Sequence, residues 1–186
     1  MPDLTFYREW LGLDKQDFRI LAMLAEKDGD YSGTLSDMCR YFSLSEQSKN
    51  RAALKNAIQS LTERHWIESA VKGQKYCLRL CPKEKKIKMP AEWFAKVRAH
   101  EYFAAAVSWE AVTKVFLWLL DHDCDSTITN SQIADELNIS ESVVISAKNV
   151  LERDFDAITK RYVSEKIAED LFIRTGQQIN CCAWWK

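Results

Sequence analysis

The 186-residue sequence predicts a mainly α fold with small β wings, an α+β chain in which one set of parts is used twice. Three observations carry that expectation. The stretch ITNSQIADELNISESVV (128–144) spells two short helices joined by a tight turn. GTLSDMCRYFSLS (33–45) has the same order of cap, apolar positions and turn. Each stretch follows an amphipathic helix and precedes a segment with strand-like alternation and a glycine.

In the first half, LGLDKQDFRILAMLAEKDG (11–29) predicts a helix with Phe18, Leu21, Ala22 and Ala25 on one face. Asp14 is its N-cap, with Asp17 three residues on, and Gly29 its C-terminal stop. Thr34 caps the next helix, which turns Leu35, Met38, Cys39 and Phe42 inward, and Leu44 fills the turn after it. A longer helix follows with Leu54, Ala57, Ile58 and Leu61 inward, ending near ERHWIE. Ser45 and Asn50 are both acceptable caps for it, so SEQSKN reads as an extended turn or as an extra helical turn. SAVKGQKYCLRLCP (69–82) then reads as two strands pivoting at Gly73.

The second half repeats these parts. Ser108 caps WEAVTKVFLWLLDHD, with Val112, Val115, Phe116, Leu119 and Leu120 inward. Thr129 or Asn130 caps a helix carrying Ile133, Ala134 and Leu137. Asn138 sits where the chain must turn sharply and tolerates the left-handed conformation, and Ile139 plugs the turn. Ser140 caps a second helix that buries Val144, Ala147 and Leu151. AITKRYV and LFIRTGQQINCCAWW read as strands, the latter turning at Gly176. Between them SEKIAED fits a loop or one helical turn. The pattern is that of tandem winged helix-turn-helix domains: residues 1–88, a connecting helix in 89–107, and residues 108–186.

Composition narrows the function classes. Hydrophobic residues make up 47% of the chain, enough for a core in each half. No apolar run approaches the ~20 residues of a membrane span, and MPDLTFYREW has neither a basic start nor an apolar signal core, so a cytoplasmic protein is expected. The 6 cysteines and 3 histidines lack metal-ligand spacing, so no metal or other cofactor is expected. Asp121, Asp123 and Asp125 have the spacing of a metal-binding loop but lack its Gly and distal Glu, which favours a helix end and a solvated turn. With no P-loop, dinucleotide turn or nucleophile elbow, the chain does not read as an enzyme.

Charge separates the halves. Residues 45–88 carry 11 Lys and Arg against 4 Glu, a net of +7, whereas residues 89–186 carry 10 basic against 15 acidic residues, a net of −5. Phosphate contacts supply most of the affinity of a DNA-binding domain, so double-stranded DNA is the expected partner of the first half. On its long helix Arg51, Lys55, Asn56 and Gln59 point outward, residue types that read guanine or adenine edges. Lys49 and Asn50 stand at the helix start, where phosphate is favoured, and Lys72 and Lys75 flank the wing turn. The bland alternative is the solvated polar face of any amphipathic helix.

In the second half the outward set is Glu141, Ser142, Ile145, Ser146, Asn149, Glu152 and Arg153, a poor match to phosphate. Lys160, Arg161, Lys166 and Arg174 offer some phosphate contact from its hairpin. Ile145 hints at a partner surface. The segment KEKKIKMPAEWFAKVRAHEYFAAAV predicts a helix after Pro90 bearing Trp93, Phe94, Val97, Tyr102 and Phe103. Packing between the domains is the favoured reading of that helix. Homodimerisation through Trp93, Phe94, Ile145, Trp184 or Trp185 is the sharper one.

FYREWLGL, GTLSDMCRYFSLS and ALKNAIQSLTERHWIE together resemble the N-terminal winged helix of replication-initiation and replisome-organiser proteins carried by phages, plasmids and integrative elements of Gram-positive bacteria. Such domains often begin with the Trp-Leu-Gly-Leu phrase found here at Trp10, Leu11, Gly12 and Leu13. The match covers roughly the first 80 residues, one domain's length. Where the family usually has Gly before the apolar residue closing the recognition helix, this chain has His65-Trp66-Ile67, which predicts a different exit. The second half resembles generic winged helices. The resemblance implies a DNA-binding protein of a mobile element, acting in replication initiation or transcriptional regulation. The alternative is a winged-helix assembly module that dimerises or captures a protein partner without specific DNA binding.

Overall fold

A computed structural model describes residues 3–100, 107–122, 127–168 and 171–181, with side chains given for 3–100, 107–122 and 129–158. The chain is α+β and divides into two compact units, Asp3–Lys88 and Met89–Lys186. Among the described residues, no helix is long and apolar enough to cross a membrane.

The first unit begins with β1 (Asp3–Tyr7) and a single 3-10 turn (Arg8–Trp10). Helix α1 (Lys15–Glu26) follows Asp14, which occupies the N-cap position without a side-chain capping bond. It ends through two left-handed residues, Asp28 (φ 53°) and Gly29 (φ 88°), and the Gly29 N–H bonds Leu24 O at 2.8 Å. Strand β2 (Asp30–Gly33) leads into α2 (Leu35–Tyr41). Thr34 and Asp37 form a reciprocal capping box: the Asp37 N–H donates to Thr34 Oγ1, and the Thr34 N–H to Asp37 Oδ2.

Ser43 (φ 53°) then reverses the chain, and the Leu44 N–H reaches back to Cys39 O at 2.8 Å. Helix α3 (Ser48–Glu63) buries Leu54, Ala57, Ile58 and Leu61. It starts between the two expected caps, because residues 44–47 form an extended turn and Gln47 is the N-cap. Arg64, just past its end, donates to the buried carboxylate of Asp17 on α1 and to Ser60 Oγ, tying the two helices together. The hairpin β3 (Ile67–Lys72) and β4 (Lys75–Leu80) closes on Gly73 (φ 64°), a two-residue turn with glycine first. Both strands run antiparallel in a sheet of order β2-β4-β3, and β5 (Lys86–Pro90) pairs with β1.

Helix α3 ends through a left-handed residue. His65 adopts φ 56°, the conformation a glycine would take, and the Trp66 N–H bonds Leu61 O at 2.9 Å. Lys83 holds this exit, donating to His65 O at 3.2 Å with its ammonium 4.7 Å from the Trp66 ring centre.

The second unit repeats the order. Helix α4 (Ala91–Ala99) is followed by α5 (Trp109–Asp121), β6 (Thr127–Ile128), α6 (Asn130–Leu137) and α7 (Glu141–Arg153). Strands β7 (Ile158–Ala168) and β8 (Leu171–Cys181) complete it, again with the first strand beside the last: β6-β8-β7. Thr129 caps α6 in a capping box with Gln132, and Asn138 is left-handed at φ 52° with the Ile139 N–H on Ala134 O at 3.1 Å. Helix α5 is buried from Glu110 to Leu119 on every face, as a central helix should be.

Three expectations are corrected here. Gly176 is no turn but lies inside β8, where the pairing slips from Val163↔Gly176 to Ser164↔Arg174; a glycine in a strand marks such a bulge. SEKIA is neither loop nor helix but the end of β7. Trp93 and Phe94 do not lie on a free surface. Trp93 packs 4.3 Å from Phe116 and 5.7 Å from Phe155 (ring centres), and Phe94 meets Trp109 edge-on, so both belong to the core of their own unit. Tyr102, Phe103, Trp184 and Trp185 lie outside the described residues.

Two measurements follow from these turns and caps. Asn138→Ala replaces a residue that tolerates the left-handed conformation with one that does not, and urea denaturation should read a loss of about 1 kcal/mol. The Asp37 carboxyl is held below its ordinary value of 3.8, first by the Thr34 backbone N–H, then by the Thr34 hydroxyl and the nearby Arg40 and Lys75 charges. Its contribution is therefore complete above pH 3.8 and disappears as pH falls through the lower folded value. Asp37→Asn should flatten the loss of stability measured between pH 5 and 3, against the unsubstituted protein, by about one carboxylate's share.

Candidate nucleic-acid interface

The exposed face of α3 carries Lys49, Arg51, Lys55, Asn56 and Gln59, while Asn50 is half-buried. Their side chains are not equally available. The Asn50 amide donates to Ser45 O at 2.9 Å and Ser45 Oγ at 3.0 Å, so it clasps the extended turn to the helix. Arg51 lies 3.3 Å from Glu46, whose carboxylate is also 3.6 Å from Arg40. Gln59 donates to Glu63 Oε1 at 2.8 Å. Lys49, Lys55 and Asn56 make no hydrogen bond or ion pair among the described residues and stand open to a ligand.

The tip of the β3–β4 hairpin adds Lys72 and Lys75, which face each other across Gly73 and Gln74 and are both exposed. A Cβ added at Gly73 would meet nothing within 4 Å, so the tip projects into open solvent. The hairpin is fastened to α3 by the Thr62 hydroxyl donating to Ser69 Oγ at 3.0 Å. One continuous piece of chain thus presents both groups of cations.

Not all of the local +7 is surface charge for a partner. Arg64 is committed to Asp17, Arg79 lies 3.1 Å from Asp30, and Lys83 rests on Trp66. Counting Asp3–Lys88 whole gives 16 Lys and Arg against 12 Asp and Glu, a net of +4. The acids of α1 and β2 offset part of the segment's excess, and exposed cations without an ion pair among the described residues stand on α3, at the hairpin tip and at Lys85, Lys86 and Lys88.

The second unit differs. Glu141, Ser142, Ile145 and Asn149 are exposed on α7, and Arg153 is engaged by Asp154 at 2.7 Å. Ile145 is 43% exposed. Ser140 sits at the N-cap position but its hydroxyl meets Ser142 Oγ at 3.0 Å instead of capping. Lys148, a residue the sequence pattern did not single out, is buried and donates to Asn130 Oδ1 at 2.8 Å, joining α7 to the start of α6. Its place beside Val144, Ala147 and Leu151 on the inward stripe was the available signal. The side chains of Lys160, Arg161, Lys166 and Arg174 lie outside those described, as do Asp123 and Asp125. Among the described residues, no group of three or more His, Cys, Asp or Glu could hold a metal ion.

No protein-family model matches the chain, and no curated protein is similar to it.

Stability separates the residues that build this surface from those that merely occupy it. Lys55→Ala and Asn56→Ala should leave the unfolding free energy within about 0.5 kcal/mol. Arg64→Ala removes a charged donor from the buried Asp17 carboxylate and should cost about 1–3 kcal/mol, the lower part of the range reflecting the half-exposed arginine. Chemical denaturation of the three variants checks both statements.

Proposed function

We propose that the chain is a DNA-binding protein made of tandem winged helix-turn-helix domains, with the first domain as the principal reader. In each unit the order of a helix, a short strand, two helices about a left-handed turn, and a hairpin supports the architecture. So does the strand order, first beside third, in both sheets. The observation that carries the DNA reading is the shared exposure of Lys49, Arg51, Lys55 and Asn56 on one helix fastened to a hairpin tipped by Lys72 and Lys75. Such a helix suits a major groove, with the hairpin lysines on flanking phosphate. The resemblance of the N-terminal half to replication-initiation proteins favours an origin-binding role in a mobile element over transcriptional regulation by a narrow margin.

A second reading applies to the second domain. The exposed Ile145 amid Glu141 and Asn149 favours a protein-facing surface there, so DNA reading and assembly would fall to different domains.

Fluorescence anisotropy with random duplex DNA at two salt concentrations tests the proposal. Binding should weaken steeply with salt, and Arg51→Ala/Lys55→Ala should lower affinity and flatten the log–log salt slope by about 1–2. No binding at low salt would sink the DNA reading. Glu46→Gln should act in the opposite sense, tightening binding about fivefold, or ~1 kcal/mol, because it releases Arg51 and removes a charge that phosphate opposes.

A further inference from the structure

Strand β3 is an edge of its sheet, and from Glu68 to Lys72 every residue is exposed. Val71 is 61% exposed, more than Ile145, the other large apolar side chain exposed among the described residues. The hairpin geometry fixes which backbone groups face outward. A two-residue turn makes Lys72 and Lys75 a hydrogen-bonded pair, and antiparallel alternation makes Ala70–Cys77 and Glu68–Arg79 bonded pairs as well. Those residues spend their N–H and C=O groups on β4. Ser69 and Val71 therefore point theirs away from the sheet, toward whatever lies beside β3.

Edge strands are ordinarily protected by charges that repel another strand. Here the two charges on the strand have opposite sign and are spaced so that they protect against other strands but not against the same strand reversed. If a second β3 runs antiparallel about a two-fold axis through Ala70, Ser69 falls opposite Val71 of the other copy, and the outward N–H and C=O groups of both meet in register. In that same register Glu68 of each copy falls opposite Lys72 of the other. These are non-hydrogen-bonded positions, where side chains approach most closely. Glu68 stands across from Arg79 of β4 and attracts it, but neither Glu68 nor Lys72 makes an ion pair within 4 Å among the described residues of its own chain. Registers moved by two residues keep the backbone parity but place Glu68 opposite Ala70 or Lys72 opposite Ala70, which loses both charge pairs.

We propose that β3 is a self-pairing edge through which two copies of this chain join their three-stranded sheets, with register set by the two Glu68–Lys72 pairs. The surface is separate from the exposed face of α3 but shares Lys72 with the hairpin tip, and the dimer needs no DNA. A contact of five residues per copy is small, so the association is weak and concentration-dependent.

Sedimentation equilibrium of the full chain without DNA tests it. The unsubstituted protein should be a reversible dimer. Glu68→Lys and Lys72→Glu should each weaken dimerisation about tenfold or more, since either change turns both cross-strand attractions into repulsions. An equimolar mixture of the two variants should associate again, because each then meets its opposite. Val71→Pro removes an outward N–H while leaving the β3–β4 ladder intact, and should abolish the dimer with an unchanged circular-dichroism spectrum. A chain that stays monomeric at millimolar concentration overturns the proposal. So does a dimer indifferent to Glu68→Lys and Val71→Pro, or a mixture that associates no better than its components.

Discussion

The direction in which α3 leaves α2 depends on one backbone conformation. Ser43 takes φ 53°, and the next amide reaches back to Cys39 O; Asn138 and Ala134 O do the same between α6 and α7. A non-glycine residue held there costs about 1 kcal/mol of local strain. That cost is offset because the following side chain, Leu44 or Ile139, is half-buried while its amide finds an acceptor. With the helix angle set in this way, four inward residues of α3 become buried and the opposite face has no alternative but solvent. The position of every candidate DNA-facing side chain on α3 is thus a consequence of that turn.

Positive charge in the first unit is divided by the same packing. A buried carboxylate needs a partner, so Asp17 claims Arg64, and this pair fastens α1 against the end of α3. Exposed pairs such as Arg51–Glu46 are worth less than about 1 kcal/mol, so they are easily exchanged for a stronger anion. Glu46 is therefore a weak competitor for the helix face, not a structural fixture. A count of basic residues does not distinguish these cases; burial of the acidic partner does.

Much of the fold was legible because its signals are local. The inward positions of α3, α6 and α7 follow from helical spacing, and Thr34, Thr129, Gly73 and Asn138 each act where their side-chain or backbone chemistry says they should, whereas α1 is buried on every face from Asp17 to Leu24 and leaves Ala25, expected inward, only half-buried. Strands β1, β2, β5 and β6 were not legible. They hold two to five residues, too few for alternation to register, and exist because a neighbouring strand supplies their hydrogen bonds. The bulge at Gly176 was misread as a turn because glycine serves both, and only the pairing partner tells them apart. At the candidate interface the outward set on α3 was readable from periodicity. The capture of Asn50 by Ser45 and of Gln59 by Glu63 was not, since either amide had several neighbours within reach.

The exit of α3 shows how a chain can do without a residue that its geometry favours. His65 stands in a glycine's conformation because Lys83, eighteen positions away, grips both the carbonyl of His65 and the ring of Trp66. The conformation is held by a clasp of two adjacent residues and a lysine far along the chain. Any search signature that demands glycine at this point will pass over chains that reach the same shape by a clasp, and a signature written on shape will retrieve them.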